Sequence, residues 1–389
     1  MNSFLHKLSF FIFASLLALS SMHVHATALK FTQIDAGYEH TCGITEISEA
    51  YCWGKNDAGE IGAASQSSRI YHATEVSQGF KWTHISAGRS ISCGVTSTKD
   101  AYCWGNNTFG QLGTGDTEPS SSPRLVSGSH KWKSIEAGYF NVCGITIDNN
   151  AFCWGQAGDS LGSGKNPSKQ TTPKLVSGNY KWSAIDLNIH PTPTVCGITQ
   201  GGGAYCWGNG LTYQFLNGKS MNSSVPHQIS NSQKFKALLV GTTITCGLTS
   251  EDYYLCAGTS TINGQLGTGA TPIHQVEPVA IPDSHKWMKL SLGQKHSCAV
   301  TNKQEGICWG EGTGQLGEAD EADFGKIKPS PVKVTDNVKW EDISAGSGHS
   351  CGISIEGIAY CWGRNSYGQL GVGDNSLRLT FSPEKVTKK

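Results

Sequence analysis

One spacing recurs seven times along the 389 residues and constrains the fold more than any other feature. Cys42, Cys93, Cys143, Cys196, Cys246, Cys298 and Cys351 follow one another at steps of 50 to 53 residues. Each has a partner ten residues on: Cys52, Cys103, Cys153, Cys206, Cys256, Cys308 and Cys361. The 11 tryptophans keep the same period. Trp53, Trp104, Trp154, Trp207, Trp309 and Trp362 directly follow the second cysteine, and Trp82, Trp132, Trp182, Trp287 and Trp340 stand in a Lys-Trp pair. A repeat of this length outweighs any domain count drawn from chain length.

The unit is clearest at 81–126. It reads as four short extended segments: Trp82–Ser86, Ile91–Thr96, Ala101–Gly105 and Pro123–Val126. They are separated by glycine-bearing or polar turns, with a glycine-rich stretch around Gly110-Gln-Leu-Gly113. No window holds a helical period, and the high glycine content, 48 residues, disfavours helices. Seven units of four short antiparallel strands predict a seven-bladed β-propeller, because a closed ring leaves no end face to cap. The segment Pro383–Val386 matches Pro123–Val126, so the C-terminal tail supplies the last fourth strand.

At this point the sequence resembles the regulator of chromosome condensation repeat family. The resemblance rests on Cys361-Trp-Gly-Arg-Asn-Ser-Tyr-Gly-Gln-Leu-Gly371 and on Ala345-Gly-Ser-Gly-His-Ser-Cys-Gly-Ile353, and it extends over residues 27–389. It implies a seven-bladed propeller, in agreement with the unit count. Two units depart from the pattern. The fourth has Leu211–Gly218 where Gly-Gln-Leu-Gly is expected and carries extra residues at His190–Pro193; the fifth has Ala257 in place of tryptophan and Phe235 at the Lys-Trp position.

Residues 1–26 read as a cleaved signal peptide: Lys7, an apolar stretch Leu8–Leu19, and small residues at Val24 and Ala26. The apolar stretch is short for a bilayer span. No later segment reaches eighteen apolar residues, so the mature chain is expected to be secreted or periplasmic and without a membrane span. The 30 basic residues of the whole chain balance 30 acidic ones, and without Lys7 of the leader the balance is −1, which leaves no electrostatic footprint for nucleic acid.

The cysteines lack the close Cys and His clusters of a zinc site and the Cys-x-x-Cys of a redox site. One bridge per hairpin, joining the second and third strands, fits the spacing: Cys42–Cys52, Cys93–Cys103, Cys143–Cys153, Cys196–Cys206, Cys246–Cys256, Cys298–Cys308 and Cys351–Cys361. Each such loop closure stabilises by roughly 2–3 kcal/mol. The tryptophans are expected to pack blade on blade, with a carbohydrate-binding ring as the alternative. His40, His296 and His349 recur two residues before a cysteine, and a turn-stabilising hydrogen bond accounts for them better than catalysis. The acidic run at 318–323 reads as a solvated loop, with calcium as the alternative. No catalytic constellation, metal site or cofactor motif is predicted.

The turn between the first and second strands varies most between units, and in a propeller these turns share one face. It supplies the candidate partner-binding residues Tyr38, Arg89, Tyr139, Phe140, Ile189, His190 and Lys295. For Tyr139 and Phe140 the alternative is packing on a neighbouring loop. The chain is therefore expected to be a monomeric, non-catalytic protein-binding propeller. Guanine-nucleotide exchange on a small GTPase, the activity of the family's namesake, is the first alternative. The resemblance implies a wedge hairpin for that activity, which units of this length do not accommodate. A hydrolase or lyase acting on an extracellular polymer is the second; it requires clustered carboxylates that the sequence does not bring together.

Overall fold

A computed structural model of the chain describes residues 29–388 except 157, 165–168, 230–232, 260–262, 283–285, 319–321, 323, 336 and 374–378. The predicted leader and most of the acidic run at 318–323 lie outside the described residues. Seven four-stranded antiparallel sheets follow one another along the chain, spanning 31–75, 82–125, 132–175, 182–228, 235–280, 287–333 and 340–385. Every sheet is a simple meander, so each repeat is one blade. In blade 2 the strands are Trp82–Ala87, Ile91–Thr96, Ala101–Gly105 and Ser120–Leu125; the fourth begins three residues earlier than the repeat alone suggests.

The first strands contact one another around the axis and enclose a central channel of about 420 Å³. The core is divided into seven clusters, each lying between two blades. Between blades 1 and 2, Cys42, Ile44, Cys52 and Ile61 pack against Trp82, Ile85 and Trp104. The same arrangement closes the ring, where Cys351, Ile353 and Leu370 of blade 7 meet Phe31, Ile34 and Trp53 of blade 1. No blade mixes strands from the two ends of the chain, so closure rests on lateral contacts. The tail does supply the fourth strand of blade 7, Leu379–Lys385, and then crosses to blade 1, where the Ala73 amide donates to the Thr387 carbonyl at 2.9 Å.

All seven expected disulfides are present, with the two cysteines directly opposite in register and Cα atoms 4.1 Å apart. They include Cys246–Cys256 in the divergent fifth blade. The bridges are fully buried within the inter-blade clusters. They therefore stiffen the hairpin and form part of the wall on which the next blade packs.

The Trp that follows the second cysteine reaches back to the preceding blade. Trp104 Nε1 donates to the Glu60 carbonyl at 2.8 Å, Trp154 to Gln111, Trp207 to Ser160, Trp309 to Gln265 and Trp362 to Gln315. Trp53 closes the circle by donating to Gln369 of blade 7. These indoles are wholly buried, which leaves no ring of tryptophans available to a carbohydrate. The second glycine of Gly-Gln-Leu-Gly is needed for this contact: Gly113 has φ +72°, and a Cβ there would stand 2.6 Å from Trp154 Nε1.

The recurrent histidines bind across blades instead of bracing a turn. His40 Nε2 lies 2.9 Å from Ser92 Oγ, His296 Nε2 2.8 Å from Ser350 Oγ, and His349 Nε2 2.9 Å from Thr41 Oγ1. Each hydroxyl donates its own proton to a carbonyl, of Glu60, Gln315 and Gln369 respectively. The imidazole must then donate from Nε2, leaving Nδ1 buried without a partner. Burial holds all three far below the usual imidazole range, to about 3.

Candidate partner-binding face

The first-to-second-strand turns and the Gly-Gln-Leu-Gly loops lie at one end of the channel. The Ala-Gly turns form a belt there: the Tyr38 amide donates to the Gly88 carbonyl, Arg89 to Gly138, Gln294 to Gly346 and Ser347 to Gly37. Glycine is required by close approach, since a Cβ on Gly37 would lie 2.6 Å from the Gly88 carbonyl. In blade 4 Asn188 replaces the glycine, and its side-chain amide donates to the carbonyls of Gly241 and Thr242. The belt holds the variable turn residues at fixed positions around the channel mouth.

Four of the seven predicted residues come together on this belt. The Arg89 guanidinium lies 4.1 Å from the Tyr139 ring centroid, 5.5 Å from Tyr38 and 5.7 Å from Phe140. Tyr139 and Phe140 meet edge to face at 4.3 Å, and Phe140 packs on Phe109 at 4.7 Å. The two aromatic residues therefore do pack on a neighbouring loop, while each stays half-buried. The other three stand apart. Ile189 lines the channel mouth on blade 4. His190 is held by Thr192 Oγ1 at 2.9 Å, and burial lowers its pKa. Lys295 is exposed on blade 6 and pairs with Glu311 at 2.9 Å.

Two features of this end of the molecule escape a reading of the turns alone. Phe109 and Tyr367 occupy the same repeat position, directly before Gly-Gln-Leu-Gly, and Tyr367 carries Lys55 at 5.0 Å and Arg69 at 5.3 Å over its ring. A comparison of the units at that position would have found them. The second is a set of carboxylates in the channel, Asp35, Glu136 and Asp186, which corrects the expectation that no acidic residues are brought together. All three stand one residue before the end of a first strand. Asp35 accepts the Ala87 amide at 2.7 Å and Asp186 the amides of Leu187 and Val240. Ser86, Ser291 and Ser344 accept the equivalent amide of the next blade. Glu136 pairs with His84 at 3.1 Å. Desolvation raises Asp35 to about 6 and Asp186 to about 8. These acids serve as inter-blade acceptors, and no group of three or more potential metal ligands occurs among the described residues.

Two sequence models of the regulator of chromosome condensation (RCC1) repeat match the chain, one over residues 100–145 and 356–389, the other over 31–60, 82–111 and 340–369. The matched segments are RCC1 repeats. Among curated proteins it is similar to the ultraviolet-B receptor UVR8 of Arabidopsis thaliana, at 28% identity over 89% of this chain and 68% of the receptor. It is also similar to the probable E3 ubiquitin-protein ligase HERC6 of Homo sapiens, at 35% identity over 36% of this chain but 13% of the ligase. Among solved structures, Prp20p from Saccharomyces cerevisiae superposes with a TM-score of 0.75 at 18% identity, covering 92% of this chain and 87% of that one. Human WBSCR16 superposes at 0.73 and 19%, covering 84% and 87%. At these identities the superpositions establish the shared propeller fold.

Proposed function

We propose that this RCC1-repeat propeller is a protein-binding scaffold without catalytic activity, which engages its partner through the channel-mouth face. The supporting observation is the Tyr38–Arg89–Tyr139–Phe140 cluster: half-buried aromatic rings and a stacked arginine, held in place by a backbone belt. Preorganised aromatic and arginine side chains are the residues that most often dominate protein interfaces. The work described for Prp20p includes its binding to Gsp1p and histones, which offers a precedent for protein binding by this fold. The channel acids do not favour a hydrolase, because Asp35 and Asp186 are committed to backbone amides and Glu136 to His84.

Secretion or export to a periplasm completes the proposal. Seven buried bridges, with no free cysteine among the described residues, suit an oxidising compartment. No helix among the described residues is long and apolar enough to cross a membrane. The test is quantitative capture from the native compartment with the wild-type chain and with Tyr139→Ala/Phe140→Ala. The double variant should keep its melting temperature within a few degrees and bind a specific partner at least about thirtyfold more weakly. A folded double variant that retains every partner contradicts the proposal.

A further inference from the structure

We propose that Arg89 is the docking point for a carboxylate, an Asp or Glu side chain presented by the partner protein; this rests on the protein-binding reading above. Arg89 has no hydrogen-bond or ion-pair partner for its guanidinium among the described residues, although it is half-buried. Among the other basic groups near this face, Arg69 likewise stacks on an aromatic ring, that of Tyr367, while three are ion-paired. Lys55 pairs with Glu39 at 2.8 Å, Lys295 with Glu311, and Arg124 with Asp116 at 2.6 Å.

The rings fix what Arg89 can do. Tyr139 lies closest, with Tyr38 and Phe140 completing an aromatic enclosure, so stacking restrains the guanidinium while its N–H donors have no protein acceptor. A planar fork of donors matches the two oxygens of a carboxylate, and the low polarity of the surrounding rings strengthens such a pair. The ordering of a long side chain, normally a cost of binding, is already met in the free protein. The occupant is therefore acidic and has room for apolar atoms beside the charge, where Tyr139 and Phe140 offer their exposed edges. A basic or purely apolar segment would cover the half-buried guanidinium without compensating its charge.

The test uses two end-blocked hexapeptides that differ only in having two Glu or two Gln among Gly and Ser residues. They are titrated at low ionic strength while the Arg89 Nε–H resonance of arginine-labelled protein is followed. The Glu peptide should shift that resonance to saturation, and the Gln peptide should bind at least tenfold more weakly. Arg89→Gln, verified as folded by its melting temperature, should abolish the discrimination, and Arg89→Lys should reduce it. Equal affinity for the two peptides overturns the proposal. So does discrimination that survives in Arg89→Gln, or saturation by inorganic phosphate with no response to the Glu peptide. A partner lost by Tyr139→Ala/Phe140→Ala but retained in full by Arg89→Gln overturns the carboxylate anchor and leaves the binding face standing. If the Glu peptide binds and no partner depends on the aromatic pair, the protein-binding reading fails instead.

Discussion

A single residue shows how closely each position answers to the repeat. Glu60 stands where other blades carry Gln111, Gln265, Gln315 and Gln369. One carboxyl oxygen accepts the Ala58 amide at 2.8 Å, as the glutamine oxygens accept the equivalent amides of Phe109, Thr313 and Tyr367. The other is buried with no partner, whereas Gln265 uses its amide nitrogen to reach the Gly293 carbonyl of the next blade. Burial raises the Glu60 pKa accordingly. Glu60→Gln should therefore stabilise the protein by about 1 kcal/mol at pH 8, where the glutamate is pressed towards its charged form. The folded pKa lies above the unfolded one, so the deficit is absent below the unfolded value of 4.5 and the gain should shrink as pH falls towards it. Denaturant titrations of both proteins at pH 8 and pH 4.5 check the sign and the trend.

At the scale of the element, the two irregular blades are one change seen from both sides. In the fourth blade Tyr213-Gln214-Phe215-Leu216 occupies the place of Gly-Gln-Leu-Gly, and Leu216 adopts φ 52° at the second glycine position. That glycine elsewhere makes room for the next blade's tryptophan, but the next blade has Ala257, and Phe215, Leu216 and Ala257 share one buried cluster. Leu216→Gly should open a cavity, and Ala257→Trp should clash with Leu216, each destabilising by about 1–3 kcal/mol. The double variant should recover at least about 1 kcal/mol relative to the sum in a double-mutant cycle of urea midpoints. The strands and the disulfides were legible because cysteine, tryptophan and glycine recur at fixed offsets. This coupling was not, because it joins residues in different repeats and emerges only when blades are stacked. The partners of His40, His296 and His349 were hidden for the same reason, and the channel acids needed all seven first strands side by side.

The whole ring carries two sets of buried ionisable groups that pull stability in opposite directions with pH. His40, His296 and His349 are held to about 3, while the unfolded imidazoles take up protons below about 6.5. Their contribution is complete above that value and is lost as pH falls, by up to about 1.4 kcal/mol per pH unit for each imidazole. Asp35 and Asp186 act in the other sense: their contribution is complete below the unfolded value of 3.8 and is lost as pH rises through about 6 and about 8. Three histidines outweigh two aspartates below pH 6.5, and above it only Asp186 still titrates strongly among these five. For these five groups the urea midpoint should peak near pH 6.5; Glu60 and Asp342, whose pKa burial also raises, act in the same sense as the aspartates, and Asp186→Asn should flatten the decline between pH 6.5 and 8. A midpoint that rises steadily to pH 8 in the wild-type chain would exclude this balance.

The two ends of the propeller carry their own reporters, so the claim that a partner docks over the channel mouth is open to one direct measurement. Tyr38, Tyr139 and Phe140 mark the channel-mouth face, and Ile47, Ile147 and Ile355, 58%, 52% and 48% exposed, mark the hairpin turns at the opposite end. Hydroxyl-radical footprinting of the free protein and of its complex with the captured partner reads both sets in one experiment. Oxidation of the three aromatic residues should fall several-fold on binding while the three isoleucines stay unchanged. Protection of the isoleucines with unaltered oxidation of Tyr38, Tyr139 and Phe140 would place the partner on the other face and contradict the account.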